Sequence, residues 1–293
     1  MLDDIDRKRL FDYGTSTMHN ASFHSLYLGE PALNNGILSY FDGRVVTICG
    51  LSVVGNLADS RKEIIDQVIS WVTGRQVDGV VFFGPTPVSL RVLESYGFRR
   101  TEVLKRSPLS WELCLGEGGG LAPIVERRIY RRAVSLPFEC VLRQDGTLLA
   151  QHFALVELFY RKRETAGFLA ATSVAWLSAF RLPDVVLIEA WQDKELVGFV
   201  ALQKSFRHFA VGLFLATDGR SGVADFLYAK MIVYCLNDGV LKINLDASTS
   251  PGQMRFKQKW GAVPAVPPAY GVQWVKGTLS RRSDISWASR LRR

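Results

Sequence analysis

The segment Asp218-Gly219-Arg220-Ser221-Gly222-Val223-Ala224 places small residues and one guanidinium directly ahead of an apolar run, 224–236 (ADFLYAKMIVYCL). A helix start carries unpaired N–H groups and partial positive charge, so such a loop suits a phosphate. Arg220 would add a full charge beside backbone groups that Ser221, Gly222, Val223 and Ala224 leave unobstructed. The same residues also suit an ordinary loop in which Ser221 caps the helix. Asp246 closes a second apolar run, 240–245, ahead of Ala-Ser-Thr-Ser. A carboxylate there suits a general base, or a loop residue that accepts backbone hydrogen bonds. His208, beside Arg207, titrates near neutrality and suits base work; it equally suits an exposed position. Glu189 fits either a cleft carboxylate or a cross-strand partner. Lys257 fits a phosphate contact or a solvated helix face. Tyr270 fits a proton donor to a leaving group, or a core or interface tyrosine.

Metal chemistry is not indicated. Cys49, Cys114, Cys140 and Cys235 are far apart, as are His19, His24, His152 and His208, and no pair has zinc-ligand spacing. Four cysteines in 293 residues are too few for a disulfide framework. A formal charge of +8 favours anionic partners, although part of it sits in the tail at Lys276, Arg281, Arg282, Arg290, Arg292 and Arg293. The opening MLDDIDRKRL has no apolar core of the secretory kind. The longest near-apolar stretch, 168–180, is too short to span a bilayer. The expected setting is therefore the cytoplasm, for a soluble protein.

The elements that must position these residues occur twice. An apolar helix pattern at 63–72 is followed by Asp78-Gly79, an apolar run at 80–83, a Gly-Pro-Thr-Pro break, and a short helix pattern that ends at Tyr96-Gly97. The second half repeats the order: a helix at 224–236, Asp238-Gly239, a run at 240–245, Pro251-Gly252, and a short helix that ends at Trp260-Gly261. Upstream, 152–180 has a helical pattern. The β-rich runs 185–191, 195–202 and 209–216 predict antiparallel strands, with Asp193-Lys194 as a hairpin turn. The glycines of 116–120 (GEGGG) read as a linker. They predict two domains, 1–120 and 121–293.

At 252–264 (GQMRFKQKWGAVP) the chain resembles the GNAT superfamily of acyltransferases, and within it the Fem-type aminoacyltransferases and related two-domain N-acyltransferases. Gly252, the triplet Arg255-Phe256-Lys257 and the closure Trp260-Gly261-Ala262 carry the resemblance, with 225–248 as central helix and following strand. It covers 152–274 well and 36–115 loosely. It implies an α/β (α+β) fold of two tandem GNAT-like domains, each a mixed, mostly antiparallel sheet flanked by helices. It also implies a splay between the fourth and fifth strands of the second domain, where the donor's acyl group would sit and a backbone N–H would hold the developing oxyanion.

The implied activity is transfer of an acyl group from a phosphate-bearing thioester, with acyl-CoA as donor, to an amine on a peptide, amino acid or aminosugar. The catalytic candidates are Asp246, His208 and Tyr270. Arg220, Ser221, Gly222, Val223, Ala224 and Lys257 are the candidates for contact with coenzyme A. The usual acyl-CoA loop begins with Gln or Arg where this chain has Gly219. An aminoacyl-tRNA donor of the Fem type is therefore the alternative, and a non-catalytic binding module is a third. The first domain, with Val54-Gly55-Asn56-Leu57 in place of a phosphate loop, is expected to have lost donor binding and to shape the acceptor groove.

Overall fold

A computed structural model describes residues 2–13, 28–52, 60–84, 88–104, 110–116, 124, 127–145, 147–161, 184–247, 251–264 and 270–276. The chain forms two compact units, one of Met1–Leu109 with Val266–Arg293 and one of Ser110–Ala265. The first unit contains α1 (Asp4–Tyr13), β1 (Glu30–Asn34), β2 (Ile37–Phe41), β3 (Val45–Ser52), α2 (Ser60–Gly74), β4 (Gly79–Gly84), a 3-10 turn (Arg91–Tyr96) and β5 (Phe98–Leu104). The second contains β6 (Ser110–Cys114), α3 (Arg128–Val134), β7 (Glu139–Arg143), α4 (Ala150–Arg161), β8 (Val185–Gln192), β9 (Glu195–Phe206), β10 (Phe209–Thr217), α5 (Val223–Asn237), β11 (Lys242–Ala247), α6 (Pro251–Lys259) and β12 (Val263–Pro264). The last strand, β13 (Tyr270–Lys276), returns to the first sheet.

The sheet orders are β1-β2-β3-β4-β13-β5 and β12-β6-β11-β10-β9-β8-β7. Strand β6 therefore lies between β11 and β12, and β13 lies between β4 and β5, both antiparallel to their neighbours. By contact, 110–114 belongs with the second unit and 270–276 with the first. The duplicated order is otherwise visible in both sheets. A parallel pair flanks a helix in each, β3 with β4 and β10 with β11, and the rest of each sheet is antiparallel.

Local chemistry explains the elements near the site. Asp193 and Lys194 both have positive φ, 52° and 67°, and join β8 to β9 in a two-residue turn of the kind that matches strand twist. The residues Val185–Ala190 are all buried because both sheet faces are covered, so β8 shows no polar alternation. On one face Phe226, Leu227 and Ile232 of α5 pack with Val186, Ile188, Val200 and Leu202. On the other, Phe159 of α4 meets Phe214 at 5.2 Å between ring centroids. Among the described residues, no helix is long and apolar enough to cross a membrane.

The approach of α5 to the sheet depends on Gly198. A Cβ there would lie 2.6 Å from Val223 Cγ1, 3.1 Å from the Ala216 carbonyl oxygen and 3.1 Å from Leu227 Cδ1. Gly198→Ala is expected to destabilise the chain by about 1–3 kcal/mol through overpacking. Urea unfolding of the variant against wild type measures this, and an unchanged midpoint would contradict the packing described.

Candidate acyl-transfer cleft in the second unit

Strands β10 and β11 run parallel and pair at Phe209↔Lys242, Ala210↔Ile243 and Val211↔Asn244. Beyond that point β10 continues from Gly212 to Thr217 with no further pairing to β11 among the described residues. The strands part there for a local reason. On its other side, β10 has register shifts between Phe209 and Val211 and between Gly212 and Phe214. Such irregularities bend a strand and increase its twist. Gly212 marks the fork: a Cβ on it would lie 3.5 Å from the Asn244 carbonyl oxygen. The edge of β10 facing β11 thus has backbone groups beyond Val211 that the sheet leaves for another partner.

The candidates divide around this fork. Asp246 lies on β11 two positions past Asn244, in the parted stretch, where pairing with β6 is also irregular between Asn244 and Ala247; its side chain is outside the described residues. His208 lies at the opposite, zipped end of β10. Its Nδ1 is 3.1 Å from the Gly239 carbonyl oxygen, and its own carbonyl accepts N–H bonds from Leu241 and Lys242. At ~3.3 Å per residue it is ~13 Å from Gly212. It braces two turns together and does not join Asp246. Tyr270 opens β13 opposite Gly84, in the sheet of the first unit, and its side chain is outside the described residues.

The loop after β10 is less open to anions than its sequence suggests. Arg220 is exposed, but its guanidinium is held by Asp218 at 2.8 Å and Glu195 at 2.7 Å, with Gln192 at 3.3 Å. The hydrogen bond to Glu195, with the charges of Asp218, Glu195 and Asp193, pushes its pKa up. Ser221 is exposed. Gly222 occupies the N-cap position of α5 in the left-handed region, φ 84°, and no side chain caps the helix, so Ser221 does not serve that role. Leu136 stands over Gly222; a Cβ there would lie 2.9 Å from Leu136 Cδ1. Val223 is buried and Ala224 half-buried.

Lys257 is 7% exposed, which removes the solvated-face reading. The neighbouring motif has a clear packing role. Trp260 is fully buried, packs on Tyr228, and donates its indole N–H to Asp225 Oδ1 at 3.0 Å. Lys259 pairs with the same carboxylate at 2.8 Å. The Arg-Phe-Lys…Trp-Gly-Ala element therefore clamps α6 onto the first turns of α5.

Glu189 belongs to a buried cluster on the sheet face under α4. Its carboxylate accepts from Arg143 Nε at 2.7 Å and Trp191 Nε1 at 2.8 Å, and His152 Nε2 lies 3.0 Å away. His152 Nδ1 accepts the Leu149 N–H at 2.9 Å, which turns Nε2 toward Glu189. Burial alone would push the Glu189 carboxyl up, but the hydrogen bonds from His152, Arg143 and Trp191 outweigh it and hold the pKa at about 2. Neither Arg143 nor His152 was marked by motif or spacing. Their only sequence signal is a charged residue and a histidine flanking apolar runs. Among the described residues, no group of His, Cys, Asp and Glu is placed to hold a metal ion.

Two mixed sheets, each with one parallel strand pair next to a helix, give the chain a fold like that of several solved structures. The chain is similar to FemX, with a TM-score of 0.55 and 11% identity over 80% of this chain and 83% of that one. It is also similar to a conserved protein of unknown function from Bacteroides thetaiotaomicron, with a TM-score of 0.56 and 12% identity over 93% and 91%. A third likeness is to a domain assigned as the C-terminal (DUF2156) domain of a lysylphosphatidylglycerol synthetase from Agrobacterium fabrum, with a TM-score of 0.50 and 15% identity over 92% of each chain. At these identities the likeness is one of fold. No protein-family model matches the chain, and no curated protein matches it.

Proposed function

We propose that the second unit transfers an acyl group from an activated ester or thioester to an amine. The observation that carries this is the fork of β10 and β11 beyond Val211 and Asn244. A donor carbonyl laid along β10 would meet backbone N–H groups able to hold its oxygen as charge develops. The amine nitrogen attacks the carbonyl carbon, and Asp246 takes the amine proton. As the tetrahedral intermediate collapses, the carbon–oxygen or carbon–sulfur bond to the carrier breaks, and Asp246 returns the proton to the leaving atom.

The loop favours aminoacyl-tRNA over acyl-CoA as donor. A pyrophosphate seated at the start of α5 would need a free cation and open backbone. Arg220 is instead engaged by Asp218 and Glu195, and Leu136 covers Gly222. Acyl-CoA remains the second reading, supported by the Gly222 and Ala224 positions that match the usual loop. In a direct test, the chain is incubated with radiolabelled aminoacyl-tRNA or acetyl-CoA and a mixture of amines. Discharge of aminoacyl-tRNA above spontaneous hydrolysis, with no thermal stabilisation by micromolar coenzyme A, is the expected result. Discharge of acetyl-CoA with stabilisation would establish the second reading. Discharge of neither would leave a scaffold without catalysis.

A further inference from the structure

We propose that the exposed arginine face of α3 follows the phosphate backbone of the RNA carrier; this rests on the aminoacyl-tRNA reading. Five cations of the second unit pair with carboxylates: Arg143 with Glu189, Lys204 with Asp238, Lys242 with Glu112, Lys259 with Asp225, and Arg220 with Asp218 and Glu195. Four arginines cluster on α3 and the residue before it. Arg127, Arg128, Arg131 and Arg132 are all exposed within this short stretch. Among the described residues, no carboxylate lies within ion-pair distance of Arg128 or Arg132, nor of the exposed Arg255 on α6.

Arg128 and Arg132 are four apart, so like charges share one helical stripe, an arrangement that opposes helix formation. Packing holds the helix in spite of it. Ala133 is buried in the core cluster that contains α5, with Ile129 and Tyr130 packed against it. Among the described residues the Arg128–Arg132 stripe makes no ion pair, and guanidinium groups in a row suit phosphates. Arg127 Nη1, 3.4 Å from the Trp260 carbonyl oxygen, ties the start of α3 to the end of α6. The other end of α3 leads to Leu136, which stands over Gly222 at the loop that follows the parted end of β10. A polyanion on the stripe would so be led toward the fork. A membrane surface fits less well. An interfacial helix exposes an apolar face, whereas none of the large exposed hydrophobic residues lies on α3.

The test is filter binding of uncharged tRNA to the full chain over a range of salt concentrations. Arg128→Gln with Arg132→Gln should weaken binding about tenfold at low salt and make the logarithmic salt slope shallower by about 2, as expected for two lost phosphate contacts. Arg128→Lys with Arg132→Lys should stay near wild type. If the double variant melts early, Arg132→Gln alone should lower the slope by about 1. Unchanged affinity and slope in a folded glutamine variant would overturn the α3 surface. The RNA-carrier reading would still stand if wild type discharges aminoacyl-tRNA. Wild type that binds phosphatidylglycerol vesicles through these arginines, and no tRNA, would overturn both.

Discussion

Glu189→Ala is expected to cost about 3–5 kcal/mol of folding stability, enough to remove a large part of the margin of an ordinary domain. The carboxylate is 0% exposed and satisfies donors from Arg143 and Trp191, with His152 Nε2 beside it. Its removal leaves the Arg143 guanidinium and the Trp191 indole N–H without their acceptor, and such unpaired groups cost more than the original bonds contribute. The same cluster sets a pH dependence. The Glu189 pKa falls on folding from an ordinary 4.5 to about 2. A depressed carboxylate contributes stability above its unfolded value and loses it as pH falls. About 3 kcal/mol should be present above pH ~4.5 and disappear by pH ~2. Urea titrations of wild type and Glu189→Gln at pH 6 and pH 3 check this: the gap between them should narrow at the lower pH. A gap that stays constant would mean that Glu189 is not ionised in the folded state.

Much of the frame is legible in the sequence, because it rests on local chemistry. The helix of 224–236, the strand that follows it, the Asp193-Lys194 hairpin and the Gly97 C-cap each depend on neighbours a few residues away, and all are present. The placement of β13 and β6 depends on pairings such as Val272↔Phe82 and Trp111↔Pro264, across distances no periodicity encodes. The fork depends on register and on irregularities in β10, which apolar composition does not reveal. Arg220 reads as a free cation until Glu195, 25 residues earlier, is folded against it. The composition of 127–132 (RRIYRR) alone does not say which of its arginines the fold leaves exposed.

Asp246→Asn is expected to lower the transfer rate by about 10²-fold or more while leaving the fold intact, in line with loss of a general base. The amide keeps the size of the carboxylate but cannot accept the amine proton. In the proposed mechanism Asp246 transfers protons and does not hold the donor, so donor affinity should change little, and the loss should fall on kcat. His208→Gln is the informative contrast. His208 sits at the zipped end of β10 against Gly239, so its replacement should leave kcat near wild type. A reversal, with Asp246→Asn active and His208→Gln inactive, would relocate the chemistry to the other end of the strand.

The most direct measurement is amide hydrogen exchange of the full chain with and without a non-hydrolysable aminoacyl-tRNA analogue carrying an amide at the 3′ position. Slowed exchange concentrated in 212–217 and 244–247, with 209–211 unaltered, is the result predicted for a donor carbonyl lodged between the separated strands. Binding that leaves both stretches unprotected, or that protects the His208–Gly239 end instead, would contradict the assignment.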